Sequence, residues 1–195
     1  MLSFLSKTFC LLVLAVSAGS AALYAQDRAM SLSEKTIPNV ELTDQNGRKV
    51  HFYSDLVSGK VVAINTIFTT CNTICPVMGA RFASLSRLLG KENNSRLELI
   101  SISVDPMVDT PARLKEWSLQ FGSVNSHWVL LTGSKDDIDH LLKSLELFTP
   151  DKLEHTPVVL IGSGGTTQWS RASALSPPAQ LAQLMRARLT EVAPR

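Results

Sequence analysis

The spacing of apolar and polar positions changes several times along this chain, and each change marks an element. Val61-Val62-Ala63-Ile64-Asn65-Thr66-Ile67-Phe68 is an almost unbroken β-rich run, the pattern of a strand covered on both faces. Pro76 suits the first turn of a helix, where its missing N–H is no loss, and Val77, Met78, Phe82, Leu85, Leu88 and Leu89 then recur at helical spacing until Gly90. The strand, loop, helix unit returns in Leu97 to Val104 followed by Thr110-Pro111, a cap and first-turn proline for a helix to about Phe121. Trp128 to Leu131 predicts a short strand, and Ser134 or Lys135 starts a helix through Leu145. Val158 to Ile161 predicts another strand, Gly162 to Gly165 turn toward Thr167 to Ser170, and Ala179 to Val192 close with a helix. Upstream, Val40-Glu41-Leu42 and Val50-His51-Phe52 flank Asp44-Gln45-Asn46-Gly47, where Asn-Gly is a strong hairpin signal. Strands alternating with helices predict an α/β domain of three layers. Its central sheet is expected to be mixed and mainly parallel, with an N-terminal β-hairpin at the edge.

The first 25 residues break this pattern. Lys7 is their only charged side chain, and Phe9 to Ala25 are apolar or small. The segment reads as a signal peptide or an N-terminal membrane anchor, since about 17 uncharged residues is the short limit for a spanning helix. Either way the body is exported. Cys10 falls inside this leader and reads as an apolar filler. The predicted organisation is residues 1–25 as leader or anchor, 26–36 as connector and 37–195 as one domain. A chain of 195 residues with 45% hydrophobic side chains can bury roughly 70% of its unfolded surface around one core. The formal charge of +2 is spread along the chain without a basic block, which argues against a nucleic-acid partner.

Beyond the leader only two cysteines remain, in Cys71-Asn72-Thr73-Ile74-Cys75-Pro76, so a four-cysteine zinc site cannot form within one chain. Cys71 follows the strand and Cys75 opens the helix, where free N–H groups and the helix dipole stabilise a thiolate; both sulfurs are expected to be activated. Thiolates are soft ligands that favour Cu(I), and a histidine would complete a three-coordinate site. Three residues between the cysteines, instead of the two of a usual dithiol oxidoreductase, let both sulfurs converge on one ion about 2.3 Å from each. They also tolerate a disulfide. A thiol peroxidase is the weaker third option, because Arg81 stands one and a half helical turns beyond the pair. His51, His127 and His140 read as surface or rim residues. His155 differs, standing just before the Val158 to Ile161 strand. Metal carrier and dithiol redox protein both remain open at this point.

From Lys60 to the last helix the chain resembles the SCO/SenC family, the thioredoxin-fold copper chaperones of cytochrome c oxidase assembly. The resemblance is carried by Gly59-Lys60-Val61-Val62, Phe68-Thr69-Thr70-Cys71 with Cys75-Pro76, Ser103-Val104-Asp105-Pro106 with Asp109-Thr110-Pro111, Trp128 with Leu131-Thr132-Gly133, and His155-Thr156. It implies a thioredoxin-like fold in which Cys71, Cys75 and His155 bind copper, with Cu(I) the expected ion and Cu(II) left open as the alternative. It also implies an exported domain, periplasmic or anchored to the membrane facing the periplasm. The implied client is the copper-site subunit of cytochrome c oxidase, with its binuclear copper centre. If the pair acts as a thiol-disulfide oxidoreductase instead, Cys71 and Cys75 are its redox couple and a thioredoxin-like reductant its partner. Three departures stand out: Glu154 in place of the common aspartate, Pro157 after His-Thr, and a short stretch between Glu146 and His155. The Thr156-Pro157 bond is the candidate for the cis-proline that such folds place opposite their cysteines. Asp105 and Asp109 read as turn and cap residues, and Met78 and Met107 are not assigned to the site.

Overall fold

The apolar run after Lys60 becomes the middle of the sheet. A computed structural model describes residues 29–31, 37–92, 94–122, 127–166 and 168–191; the leader reading of residues 1–25 lies outside them. The described strands are β1 (Ala29–Ser31), β2 (Glu41–Asp44), β3 (Lys49–His51), β4 (Val61–Ile67), β5 (Leu97–Ser103), β6 (Trp128–Thr132), β7 (Val158–Ser163) and β8 (Gln168–Ser173). They form one sheet in the order β1-β8-β7-β4-β5-β6-β2-β3. The helices are α1 (Cys75–Gly90), α2 (Pro111–Leu119), α3 (Lys135–Ser144) and α4 (Pro178–Glu191). No described helix is long and apolar enough to cross a membrane.

Every residue of β4, β5 and β6 is buried, as expected for strands covered on both faces. Side chains alternate between two cores. Val61, Ala63 and Ile67 point to the layer of α1, α2 and α4, where they meet Phe82, Leu85, Trp117, Leu181 and Met185. Val62 and Ile64 point to the other layer, where Ile138, Leu141 and Leu142 of α3 and Phe52 and Leu56 pack. The three-layer α/β expectation therefore holds, and the sheet is mixed. Its parallel part is narrower than predicted, because only β4–β5 and β5–β6 pair in parallel. Helical crossovers through α1 and α2 enforce that direction for these three strands. The flanks are joined by tight turns or long returns and pair antiparallel: β2 with β3 and β6, β7 with β4 and β8, and β1 with β8.

Local chemistry explains most of the ends. At the β2–β3 turn Asp44 Oδ1 accepts from the Asn46 and Arg48 amides at 2.8 and 2.9 Å, and Gly47 takes φ +80, the left-handed conformation that glycine adopts without a Cβ penalty. Thr110 caps α2 by accepting from the Arg113 amide, and Ser134 caps α3 by accepting from the Asp137 amide. Three features were not expected. A π-helical turn covers Phe52–Val57, β1 falls in the stretch read as connector, and Gly162 continues β7 rather than turning it. Val77, counted with the apolar face of α1, is 44% exposed.

The topology decides where the chemistry can sit. The β4–β7 register pairs Ile64 with Leu160, and three further antiparallel steps bring Pro157 level with Ile67. The loop after β4, which holds both cysteines, therefore meets the segment entering β7, which holds His155. The end of β5 lies on the other flank, since Ile67 pairs with Ser103.

Candidate metal centre

The cysteine loop is shaped by its own amides. The Cys71 amide donates to the Phe68 carbonyl at 3.2 Å, closing a turn directly after β4. Cys75 then opens α1 with Pro76 behind it, and the Cys75 amide points at Cys71 Sγ from 3.4 Å. The Thr73 hydroxyl lies 3.5 Å from the same sulfur. The three-residue spacer thus wraps donors around Cys71. Both cysteines are buried and both are free thiols.

The two sulfurs are not equally activated, which corrects the expectation for Cys75. Burial pushes the Cys71 thiol up, but the Thr73 hydroxyl and the amides of Cys75 and Thr73 outweigh it and bring it down to about 7. Cys75 is 0% exposed, and burial pushes it up to about 12, with the neighbouring Cys71 sulfur and the Asp109 charge adding to the rise. A helix start stabilises a thiolate only where water or donors can reach it. Here the helix turns Cys75 into the core, where the backbone of Phe68 lowers its thiol too little to offset burial, and leaves the other donors to Cys71.

His155 arrives as expected. It is 6% exposed, and its Nε2 lies 3.4 Å from Cys75 Sγ. Its Nδ1 lies 2.9 Å from the Lys152 carbonyl at the start of a one-turn 3-10 helix, Lys152–Glu154. A carbonyl can only accept, so a neutral ring carries its proton on Nδ1 and presents the Nε2 lone pair to Cys75. Phe68 braces the ring edge-on, with centroids 5.4 Å apart. The Thr156-Pro157 bond is trans, as is every described peptide bond.

Among the described residues no three His, Cys, Asp or Glu side chains form a closed metal shell. Cys75 faces the imidazole, whereas Cys71 Sγ is engaged by the Thr73 hydroxyl and the Cys75 amide. The donors nevertheless suit a soft ion: two sulfurs and an imidazole whose other nitrogen is already satisfied. The remaining histidines lie elsewhere. His51 is exposed beside Asp55, His127 bonds the Leu97 carbonyl at the opposite end of β5, and His140 is exposed on α3. Met78 is buried in the core, and Met107 is 81% exposed.

Two residues whose role the sequence reading missed support the centre. Asp109, read as a turn or cap residue, is fully buried and accepts from the Thr69 amide, the Thr69 hydroxyl at 2.5 Å and the Ser103 hydroxyl at 2.6 Å. It thereby ties the loop before Cys71 to the end of β5. Asp105, also read as a turn residue, pairs with Lys152 at 2.6 Å. Neither contact could be read locally, since the partners stand 40 and 47 positions apart.

Known proteins resemble this chain in sequence and in fold. Over 105 residues the chain is 37% identical to the SCO1 protein homolog of Bacillus subtilis, an overlap of 53% of each protein. It spans about half the length of the curated relatives it matches. Its fold superposes on BsSco, a member of the Sco family of cytochrome c oxidase assembly proteins with an identified disulfide switch, at a TM-score of 0.67 and 26% identity, covering 79% of this chain and 93% of that one. It superposes also on copper-bound ScoI of Bradyrhizobium japonicum at a TM-score of 0.63 and 27% identity, covering 76% and 96%. The SCO1/SenC family pattern runs over residues 28–187, from the first described strand through the cysteine loop and His155 into the last helix, and the chain belongs to that family.

Proposed function

We propose that this chain is a copper carrier: Cys71, Cys75 and His155 take up Cu(I) as cargo and pass it by ligand exchange to the binuclear copper site of a cytochrome c oxidase subunit. The observation that carries the reading is the 3.4 Å approach of His155 Nε2 to Cys75 Sγ, with Nδ1 held by the Lys152 carbonyl. That arrangement presents a lone pair and a sulfur to a common point. Cys71, the more acidic thiol, supplies a thiolate near neutral pH; rotation about its Cα–Cβ bond exchanges the Thr73 and Cys75 contacts for the ion. Cys75 gives up its proton only as the ion binds, because burial makes its free thiolate unfavourable. Copper-bound ScoI of Bradyrhizobium japonicum supports the choice of ion, and the membership of BsSco in an oxidase-assembly family supports the client. In this reading residues 1–25 are a leader or anchor that exports the domain, and outside the cytoplasm a reductant of thioredoxin-like type keeps the pair reduced.

A second reading keeps the same sulfurs without the metal. Cys71 attacks a client disulfide and Cys75 resolves the mixed disulfide, leaving the client reduced and the pair oxidised. Its support is the unequal acidity of the two free thiols.

His155→Ala separates them. In the carrier reading the variant loses Cu(I) affinity by more than the roughly 10- to 100-fold typical of losing a ligand's supporting hydrogen bond, while disulfide exchange persists. Cu(I) titration against a competing chelator and a thiol-exchange assay are the two measurements. Undiminished copper affinity in His155→Ala would rule out the three-ligand site.

A further inference from the structure

The segment bearing His155 is short, and the hydrogen bond that orients its ring comes from the segment's own backbone. The Lys152 carbonyl accepts from Nδ1 at 2.9 Å, so whatever holds Lys152 holds the imidazole. The Lys152 side chain reaches away from its own turn. Its Nζ lies 2.6 Å from Asp105 Oδ2, in the loop after β5, and 5.3 Å from the centroid of Phe68, the ring that braces His155. Asp105 is itself fixed: its amide donates to the Ser103 hydroxyl, and its carbonyl accepts from the Asp109 amide at 2.9 Å. The pair is partly sheltered, with the Asp105 side chain 13% and the Lys152 side chain 39% exposed. Among the described residues no other ion pair joins the His155 segment to the rest of the domain.

We propose that the Lys152–Asp105 ion pair is a latch that positions His155, clamping the 3-10 turn onto the β5 loop so that Nδ1 keeps its proton and Nε2 keeps its lone pair on Cys75. The inference rests on the copper-carrier reading for its consequence, but the geometry it describes is a property of the metal-free chain. Lys152 and Asp105 are positioning residues and touch neither sulfur. Without the latch only contacts within the turn and the Phe68 ring remain to hold it: the weak 3.5 Å amide contact of His155 to the same carbonyl, the Glu154 amide donating to the Asp151 carbonyl at 3.0 Å, and the Asp151 side-chain cap, none of which fixes the turn to the β5 loop. The ring then samples orientations in which Nε2 bears the proton and Cys75 loses its acceptor.

The test uses the full chain, reduced and metal-free, with Lys152→Met and Asp105→Asn as independent ways to open the latch. Long-range 15N–1H spectra should show the wild-type His155 ring as one tautomer with the proton on Nδ1, and both variants as a mixture. Cu(I) affinity should fall about 10-fold in each, the low end for loss of a ligand's support, with thiol content and far-UV circular dichroism unchanged. Restoring the pair, as Lys152→Arg or as the charge swap Asp105→Lys with Lys152→Glu, should return the single tautomer. The proposal is overturned if either single variant keeps the wild-type tautomer, or if neither restored pair recovers it. A wild-type protein that bound no Cu(I) while its tautomer still answered to the latch would sink the carrier reading and leave the latch standing.

Discussion

Cys71 and Cys75 stand four positions apart and at one end of one helix, yet they hold their protons with very different strength. Cys71 sits among donors and titrates at about 7; Cys75 sits among apolar side chains and titrates at about 12. That difference dictates the proton count of metal uptake. Above pH 7 and well below 12, Cys71 is already a thiolate and only Cys75 must release a proton to bind. The logarithm of the Cu(I) affinity should therefore rise by about one per pH unit between pH 8 and 9. Below pH 7 both thiols are protonated, so the slope should steepen to at least two as pH falls. Competitive Cu(I) titration at half-unit steps from pH 6 to 9 measures this directly. A flat profile would mean that at least one sulfur stays off the ion. The residues of the candidate centre were legible in the sequence because their chemistry is distinctive: Cys71 and Cys75 are the one cysteine pair beyond the leader, and of the four histidines His155 alone stands at the entry to β7. Their inequality was not legible, since it depends on which side of α1 faces the core.

The loop from β5 to α2 organises the centre without entering it. Asp109 is fully buried and accepts from three donors, two on Thr69 in the loop after β4 and one on Ser103 at the end of β5. Replacing it by alanine strands the buried Ser103 hydroxyl and takes the acceptor from the Thr69 hydroxyl and amide, which are half-buried. At roughly 1–3 kcal/mol for the buried donor, and less for each of the two that water reaches, the loss should be about 3 kcal/mol. For a domain of this size that is a fall in Tm of roughly 6–12 °C. Differential scanning calorimetry of Asp109→Ala tests it; a fall under about 2 °C would show that water reaches these groups. The helix that follows was legible, because Thr110-Pro111 states a cap and a first turn in adjacent residues. Asp109 was misread for the same reason: an acid just before a cap looks like part of the turn. Its partners are 40 and 6 positions upstream, so the misreading is one of range. The π-helical turn at Phe52–Val57 was invisible on other grounds, having no glycine, proline or sustained period to announce it.

At the scale of the molecule, the unbroken β-rich runs and the period-3.6 stretches sufficed for three layers, because burial on both faces of β4, β5 and β6 leaves few arrangements for the helices between them. Strand direction on the flanks was harder to read. It depends on whether a long return such as the one through α3 comes back to the near or the far end of the sheet, and β7 enters from the far end to bring His155 over the cysteines. This topology makes the fold's stability depend on the charge of two sulfurs it has buried. Take the reduced, metal-free chain. Unfolded thiols titrate near the ordinary value of 9.0. Cys71, depressed to about 7 in the fold, contributes stability that is complete above 9.0 and is lost as pH falls through 7. Cys75, raised to about 12, contributes the opposite: its stability is complete below 9.0 and is lost as pH rises toward 12. Between 7 and 9 only the first changes, so stability should climb with pH; beyond 9 only the second changes, so it should decline. The chain should accordingly be most stable close to pH 9, and the Cys71→Ser, Cys75→Ser double variant should lose both slopes. Urea denaturation under reducing, chelated conditions at pH 7, 8, 9 and 10 gives the curve. A wild-type profile that matched the double variant would mean that the folded environment does not separate the two thiols at all.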